Sequence, residues 1–462
     1  MNRIKPPTID LEECIAMSGG TKALIAENGA YRAIPELLEK YFNSRRVFLV
    51  ADANTMQAAG NEVEKILLAE GIEIAGKYIF PGEPRLHADY AHIETLVGAL
   101  SEKCKSFAPF SIPVSIGSGT VNDLVKRAAA EITLPYFCIP TAASVDGYTS
   151  YGSAILKDGF KQTLPCNAPV AIAADTGVMA NAPVWLSSSG FCDLAGKIIA
   201  GADWLVSEAA SHFGAKGTAA IDQKAWAMVQ HGLYYYIDHS LAAAEGDQAA
   251  LKALFEALSI TGFAMQYTRD SRPVSGSEHL FAHVWEMEDL CMNGNPVTHG
   301  HKVAMGTLAG TAFLEVLFSD PQGPPAPPAA YCHPSLEERI ADVSAAFKNN
   351  PALPGTVKTA IEKFSDQKAI ANIIEGCHDS WKGIREKVLE QITPYSELKA
   401  MFIKAKCPVK PEEINLSRSA VIACARRAQM IRNRYNGIDL AWDLGCMETV
   451  LAKLEAEDKY LN

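Results

Sequence analysis

Apolar residues recur along this chain with two different periods, and the change from one to the other divides it. Up to about residue 183, short β-rich runs alternate with helix-period stretches. Arg46–Ala51 (RVFLVA), bounded by Asp52 and Asn54, predicts a strand, followed by a helix through Ala59, Val63, Ile66 and Leu67. Gly71 closes that helix, and IEIAGKYIF (72–80) predicts a second strand. A helix over 89–105 sets Ile93, Leu96, Val97 and Leu100 on one face. Ile112–Ile116 predicts a strand running into GSGTVND (117–123), a helix covers 124–130, and a strand over 135–139 enters PTAASVDGYTS (140–150). Strands alternating with helices imply a mostly parallel sheet covered on both faces.

Beyond about residue 183 strand signals fade. The segments 191–212, 217–243, 248–268 and 276–290 predict helices, as do 335–349, 356–364, 366–391, 411–434 and 437–458. Between the two helical groups lies DPQGPPAPPAAYCHP (320–334), a surface excursion, ordered or partly mobile, because each proline removes an amide donor. The pattern therefore predicts an α/β Rossmann-like domain over 1–183 and an all-α domain over 184–462.

Composition narrows the function. A chain of 462 residues exceeds what one core usually fills. A hydrophobic share of 48% with 21% charged residues is that of an ordinary globular protein. The formal charge of -11 argues against general nucleic-acid binding, while leaving room for a local basic pocket. The start, MNRIKPPTIDLEEC, has no apolar run of the signal-peptide kind, and no stretch approaches the roughly 20 apolar residues of a membrane span. The 11 cysteines are scattered without a CxxC pair, which predicts reduced, mostly buried thiols. A soluble cytoplasmic protein is expected.

Three stretches carry candidate chemistry. In GSGTVND, Gly117 and Gly119 stand where a strand turns into a helix; glycine there permits positive φ and close approach of backbone amides to a phosphate. Asp123 is expected in the first helical turn, where a carboxylate is favoured with or without a ligand. The loop lacks the third glycine of GxGxxG, so a tight turn alone also explains it. Asp52 at a strand end reads as a ribose contact or an N-cap. Thr141, Ser144 and Ser150 offer hydroxyls, and Asp146-Gly147 makes a turn, at the sheet edge where α/β proteins bind ligands.

The third stretch runs from Asp193 to His301. Asp193, expected near the start of a buried helix, needs a cation or a capping role. His279 and His283 are spaced to share a helical face. Four of the 11 histidines (His279, His283, His299, His301) fall within 279–301, which favours a metal site over core histidines. HExxH is absent, so a zinc protease of that type is disfavoured.

Taken in order, GSGTVND, PTAASVDGYTS, GFCDLAGK, SGSEH-xxx-H and THG resemble the glycerol-1-phosphate dehydrogenases, within the superfamily of iron-type alcohol dehydrogenases, glycerol dehydrogenase and dehydroquinate synthase. The resemblance spans roughly 115–310. It implies a dehydroquinate synthase-like architecture with the active site in a cleft between the domains. It implies that Gly117, Ser118, Gly119 and Thr120 hold the pyrophosphate of NAD or NADP, with Asp123 beside them. Thr141, Ala142, Ala143, Ser144 and Ser150 would line the nicotinamide side, and Asp52 would lie near the adenosine. Asp193, His279 and His299 would bind one divalent metal (zinc, nickel or iron), and Asp146 and His283 would contact the substrate. Ser118 and Thr120 replace the middle glycine and the lysine of the family's GGGK-type loop.

The resemblance further implies reversible, metal-assisted reduction of dihydroxyacetone phosphate to sn-glycerol 1-phosphate by a homodimer or higher oligomer, with a role in phospholipid metabolism. Rival readings are a glycerol or other polyol dehydrogenase and a dehydroquinate synthase-like lyase, the latter disfavoured because that family carries glutamate where Asp193 stands. Arg272 and Lys302 are the cations nearest the histidine motifs in sequence. The region beyond 320 is longer than the family leads one to expect.

Overall fold

The computed structural model describes residues 3–105, 110–157 and 160–462. Its main sheet has six parallel strands in the order β1-β8-β5-β4-β2-β3: β1 Ala23–Glu27, β2 Arg46–Asp52, β3 Glu73–Phe80, β4 Ile112–Gly117, β5 Phe137–Pro140 and β8 Ala171–Asp175. β6 (Gly152–Lys157) and β7 (Phe160–Pro165) form a separate antiparallel pair. Every described residue of the central strands β4, β5 and β8 is buried, as a sheet covered on both faces requires. Val47, Leu49, Val114, Ile116, Phe137 and Ile139 pack with Leu38, Val63 and Leu67 in one core cluster.

The four strands expected from the hydrophobic pattern are present within two residues of their expected bounds. β1, β6, β7 and β8 are additions. The helix expected over 124–130 begins earlier and spans Gly119–Glu131, so Asp123 lies past the first turn. The Asp89–Lys105 helix is α-helical over Tyr90–Leu100 and continues as a π turn over Ser101–Lys105. Of the N-terminal stretch, residues 1 and 2 lie outside the described residues.

Contacts divide the chain into two compact units, Met1–Leu194 with Ala227–Asp270, and Ala195–Trp226 with Ser271–Asn462. The first holds the sheet. The second is helical apart from the two-residue strands Cys291–Met292 and Asn295–Pro296. The expected division after residue 183 falls at the start of the long helix Val184–Ser211. Three expected helices are broken, and the one expected over 411–434 is a 3-10 turn Pro411–Ile414 followed by the helix Arg418–Ala428. Within 217–243, Gln223–Gln230 and Leu233–His239 are separate, because Gly232 lies against Pro7 so closely that a Cβ would stand 2.7 Å from its Cβ. Within 437–458, Gly445 at φ 70° parts Gly437–Asp443 from Met447–Ala456.

The proline-rich stretch is anchored at several points. Trp381 donates to Asp320 O, Thr449 to Ala326 O, and Tyr331 OH to Trp442 O. Among the described residues no helix is long and apolar enough to cross a membrane.

Candidate functional site

The expected pyrophosphate loop closes β4. Gly117 ends the strand, Ser118 is the N-cap of the Gly119–Glu131 helix, and Gly119 and Thr120 open it. Ser118 makes no side-chain capping bond, so its hydroxyl leaves the first-turn amides open to a ligand. The reason for glycine differs from expectation. Neither Gly117 nor Gly119 has positive φ. Both are required by crowding: a Cβ on Gly117 would meet Val121 Cβ at 2.6 Å, and one on Gly119 would meet Val145 Cγ2 at 2.8 Å.

Asp123 lies 3.9 Å from Lys126 Nζ rather than at a helix start. Lys126, fully buried, holds the following loop: its ammonium donates to Gly147 O, Ser150 O, Ser150 Oγ and Gly152 O. Sequence reasoning missed this residue, since a lysine on a helix reads as a solvated charge. Asp52 N-caps the short helix Ala53–Thr55, accepting from Thr55 N at 2.8 Å. Its carboxylate therefore has the capping role already.

The PTAASVDGYTS segment is knitted to its surroundings. Thr141 N donates to Gly117 O, and Tyr148 OH donates to Ala142 O and lies 3.4 Å from Ser144 Oγ. Ala142 and Ala143 are fully buried. Ser150 Oγ bonds within the loop, to Gly152 O at 2.9 Å. Gly190 of the Val184–Ser211 helix comes so near that a Cβ would lie 2.0 Å from Ala143 O.

Asp193 is the feature the sequence misplaced. It sits inside the Val184–Ser211 helix, not near its start, so capping is not its role. It is fully buried, and its Oδ2 accepts from Asp146 N at 2.9 Å. A buried, mid-helix carboxylate calls for a compensating charge.

His279 and His283 stand on the Ser277–Met287 helix, and His299 opens the helix His299–Leu317 with Thr298 as N-cap. Asp193, His279 and His299 each present a ligand atom, and these atoms lie within 4.8 Å of one another. Tetrahedral bonds of about 2.0–2.2 Å set ligand atoms roughly 3.3–3.6 Å apart, so the three would close by up to about 1.5 Å onto one ion. Two imidazoles and a carboxylate suit zinc, nickel or iron(II) equally.

Two glutamates fix how the rings face. Glu278 Oε1 accepts from Gly276 N and lies 2.6 Å from His279 Nδ1. Glu286, 4% exposed at its side chain, takes His299 Nδ1 on Oε1 at 2.9 Å and His283 Nδ1 on Oε2 at 3.0 Å. An ionised carboxylate only accepts, so each imidazole carries its proton on Nδ1 and turns a bare Nε2 away from the glutamate. Neither glutamate was singled out from the sequence; an acidic residue three or four positions from a histidine on the same helix was the available signal.

Burial, with Arg432 adding to it, holds the His283 imidazole well below its usual range, at about 3, against the pull of Glu286. It is therefore neutral near pH 7. Burial likewise lowers His301 to about 4. Lys302 Nζ lies 3.5 Å from Glu286 Oε1 with its side chain only 8% exposed. Arg272 is committed elsewhere, to Ser207 Oγ and Gly217 O.

A fold of this kind, with a two-histidine, one-carboxylate cluster, is that of the iron-type alcohol dehydrogenases. The iron-containing alcohol dehydrogenase family model matches residues 25–183. Glycerol dehydrogenase from Schizosaccharomyces pombe superposes with a TM-score of 0.56 at 16% identity over 94% of this chain and 91% of that one. Sulfoacetaldehyde reductase from Bifidobacterium kashiwanohense, solved in complex with NAD+, gives 0.53 at 14% over 95% and 98%. Sequence goes further. The glycerol-1-phosphate dehydrogenase [NAD(P)+] of Bacillus velezensis is 31% identical over 85% of this chain and 84% of its own length. That of Bacillus subtilis is 34% identical over 60% and 68%. The chain belongs to the glycerol-1-phosphate dehydrogenase family.

Proposed function

We propose that this protein is an NAD(P)- and metal-dependent dehydrogenase that interconverts dihydroxyacetone phosphate and sn-glycerol 1-phosphate. The observation that carries this reading is the convergence of Asp193, His279 and His299 beside His283, with Glu286 binding both His283 and His299. Residues 1–183 would serve the nucleotide and 184–462 the metal and substrate. Gly117, Ser118, Gly119 and Thr120 would receive the pyrophosphate on backbone amides. Asp123 would stand beside that loop, Thr141, Ala142, Ala143, Ser144 and Ser150 would shape the nicotinamide side, and Asp52 would stand near the adenosine.

When bound, the nicotinamide supplies the hydride and the metal a Lewis acid. The chain's own residues do the rest. Asp193, His279 and His299 would hold the ion, with Glu278 and Glu286 setting ring orientation. Asp146, tied through its amide to Asp193, would position the substrate. His283 is neutral with a bare Nε2, so a proton leaving a substrate hydroxyl would enter at Nε2 and depart at Nδ1 toward Glu286. In the reduction direction the same path would run backwards. Lys302, buried next to Glu286, would supply positive charge for a phosphate. We extend the reading to a cytoplasmic homodimer or higher oligomer. All 11 cysteines are free, as a reducing compartment requires.

The test is NADH and NADPH oxidation with dihydroxyacetone phosphate, and separately dihydroxyacetone, on protein stripped and reloaded with zinc, nickel or iron(II). Metal-dependent turnover of the phosphate ester to the sn-1 product is the expected result. Turnover of unphosphorylated polyols alone would move the protein to a polyol dehydrogenase; no turnover with any metal would sink the assignment.

A further inference from the structure

A second polar cavity lies in the C-terminal helical region, lined by none of the residues discussed as the site. Its walls include Lys216, His333, Arg339, Lys363, Ser365 and Trp442, with Asp439 and Asp443. The enclosed part measures about 20 Å³, room for one or two oxygen-sized groups. Three of its buried polar atoms have no hydrogen-bond partner: Arg339 Nη1, Ser365 Oγ and His333 Nε2. Arg339 is 4% exposed and Ser365 3%. Leaving such groups unpaired is costly, most of all for a guanidinium, so three in one cavity point to something that binds them.

The rest of the network is satisfied. Arg339 Nη2 donates to Gln429 Oε1, and the guanidinium lies 4.2 Å over the Trp442 ring. Lys363 is paired with Asp439 Oδ1 at 2.5 Å, and Tyr435 OH donates to Asp443 Oδ2 at 2.9 Å. Arg339 Nη1 can only donate and the Ser365 hydroxyl can donate as well, while His333, whose ring proton faces Pro334 O, turns a bare Nε2 to the cavity. Asp439 is neutralised by Lys363, and Asp443 is pushed up to about 7 by burial and by Asp439.

We propose that this cavity binds a small oxyanion, a phosphate or carboxylate group whose oxygens accept from Arg339 Nη1 and Ser365 Oγ. The enclosed volume takes the oxygens, and the rest of the ligand extends toward Lys216. Bound there, the anion ties the helix Leu336–Ala346 that carries Arg339 to Ser365 beyond the helix Leu353–Lys363.

The test is calorimetric titration of inorganic phosphate, and separately acetate, into the full-length metal-loaded protein and two variants. Arg339→Met is the direct one, but it disturbs a buried ion network. Ser365→Ala removes one hydroxyl and is decisive if Arg339→Met does not fold. The expected result is saturable binding of one anion, weakened about tenfold or more in Ser365→Ala. Preference for phosphate or for acetate identifies the source of the oxyanion. Phosphate held by the metal-bearing helices would keep its affinity in Ser365→Ala, so that site is told apart. Binding of neither anion to the native protein, or unchanged binding in Ser365→Ala, overturns the proposal and leaves a cavity filled by water.

Discussion

One carboxylate, Glu286, serves two histidines, one on each oxygen. Glu286→Gln makes those two oxygens unequal. The amide oxygen can still accept from one Nδ1–H, but the amide nitrogen then faces the other ring and forces its proton onto Nε2. If His299 is the ring that flips, its metal-binding lone pair is lost; if His283 flips, the metal stays and proton transfer fails. Removing such an outer carboxylate typically weakens metal binding ten- to a hundredfold, about 1.4–2.7 kcal/mol. Glu286→Ala releases both rings and also strips Lys302 of its neighbour at 3.5 Å. The assay is competition for zinc, nickel and iron(II) against a chromogenic chelator, run beside steady-state kinetics. Glu286→Ala should lose both affinity and kcat. Glu286→Gln should lose one far more than the other, and which one reports the rotamer of the amide. Native metal affinity and native kcat in both variants would refute the reasoning.

Lys126→Met should lower stability by about 3 kcal/mol or more, because the buried carbonyls of Gly147, Ser150 and Gly152 lose their shared donor. Denaturant unfolding measures it, and a loss under 1 kcal/mol would contradict the role given to this lysine. Gly190→Ala should cost about 1–3 kcal/mol or shift the 141–144 segment, since the new methyl meets Ala143 O; NADH titration and Tm are the readouts, and a neutral result would show the helix free to retreat. Asp443 has its folded-state pKa raised from 3.8 to about 7. Its protonated form is favoured by folding, so its contribution is complete below about pH 4 and is lost as pH rises to 7. That is about 4 kcal/mol over the window. Asp443→Asn cannot titrate and should flatten the fall of Tm between pH 4 and 7; parallel profiles for the two proteins would count against it.

Much of the fold can be read from local pattern. β2 and β4 are runs of valine, isoleucine, leucine and phenylalanine between turn residues, and such runs have few other uses. β1 (ALIAE) and β8 (AIAAD) are alanine-rich and short, and only pairing with each other and with β5 makes them strands. The helix breaks at Gly232 and before Met447 follow from a close approach and a left-handed glycine, both tertiary facts. At the site, the histidines and Asp193 stood out because few other roles suit them. Glu286 and Lys126 did not, because a charge on a helix has the same local pattern whether it is solvated or buried among partners. A helix start is the natural expectation for Asp193 because it follows Gly190, but that glycine lies inside the helix at a point of close contact.

The order of the strands has a consequence for how the chain is made. β1 pairs only with β8, and Thr21, just before β1, bonds to Pro169, 148 residues further on. At roughly 5–20 residues per second, synthesis leaves the first strand without its neighbour for about 7–30 seconds. During that interval β5 also presents an open edge where β8 will lie, next to a growing and largely apolar sheet. Unpaired edges of that kind recruit other strands. A nascent chain stalled before residue 171 should therefore be more prone to aggregation, and more dependent on chaperones, than one released a few residues after β8 has emerged.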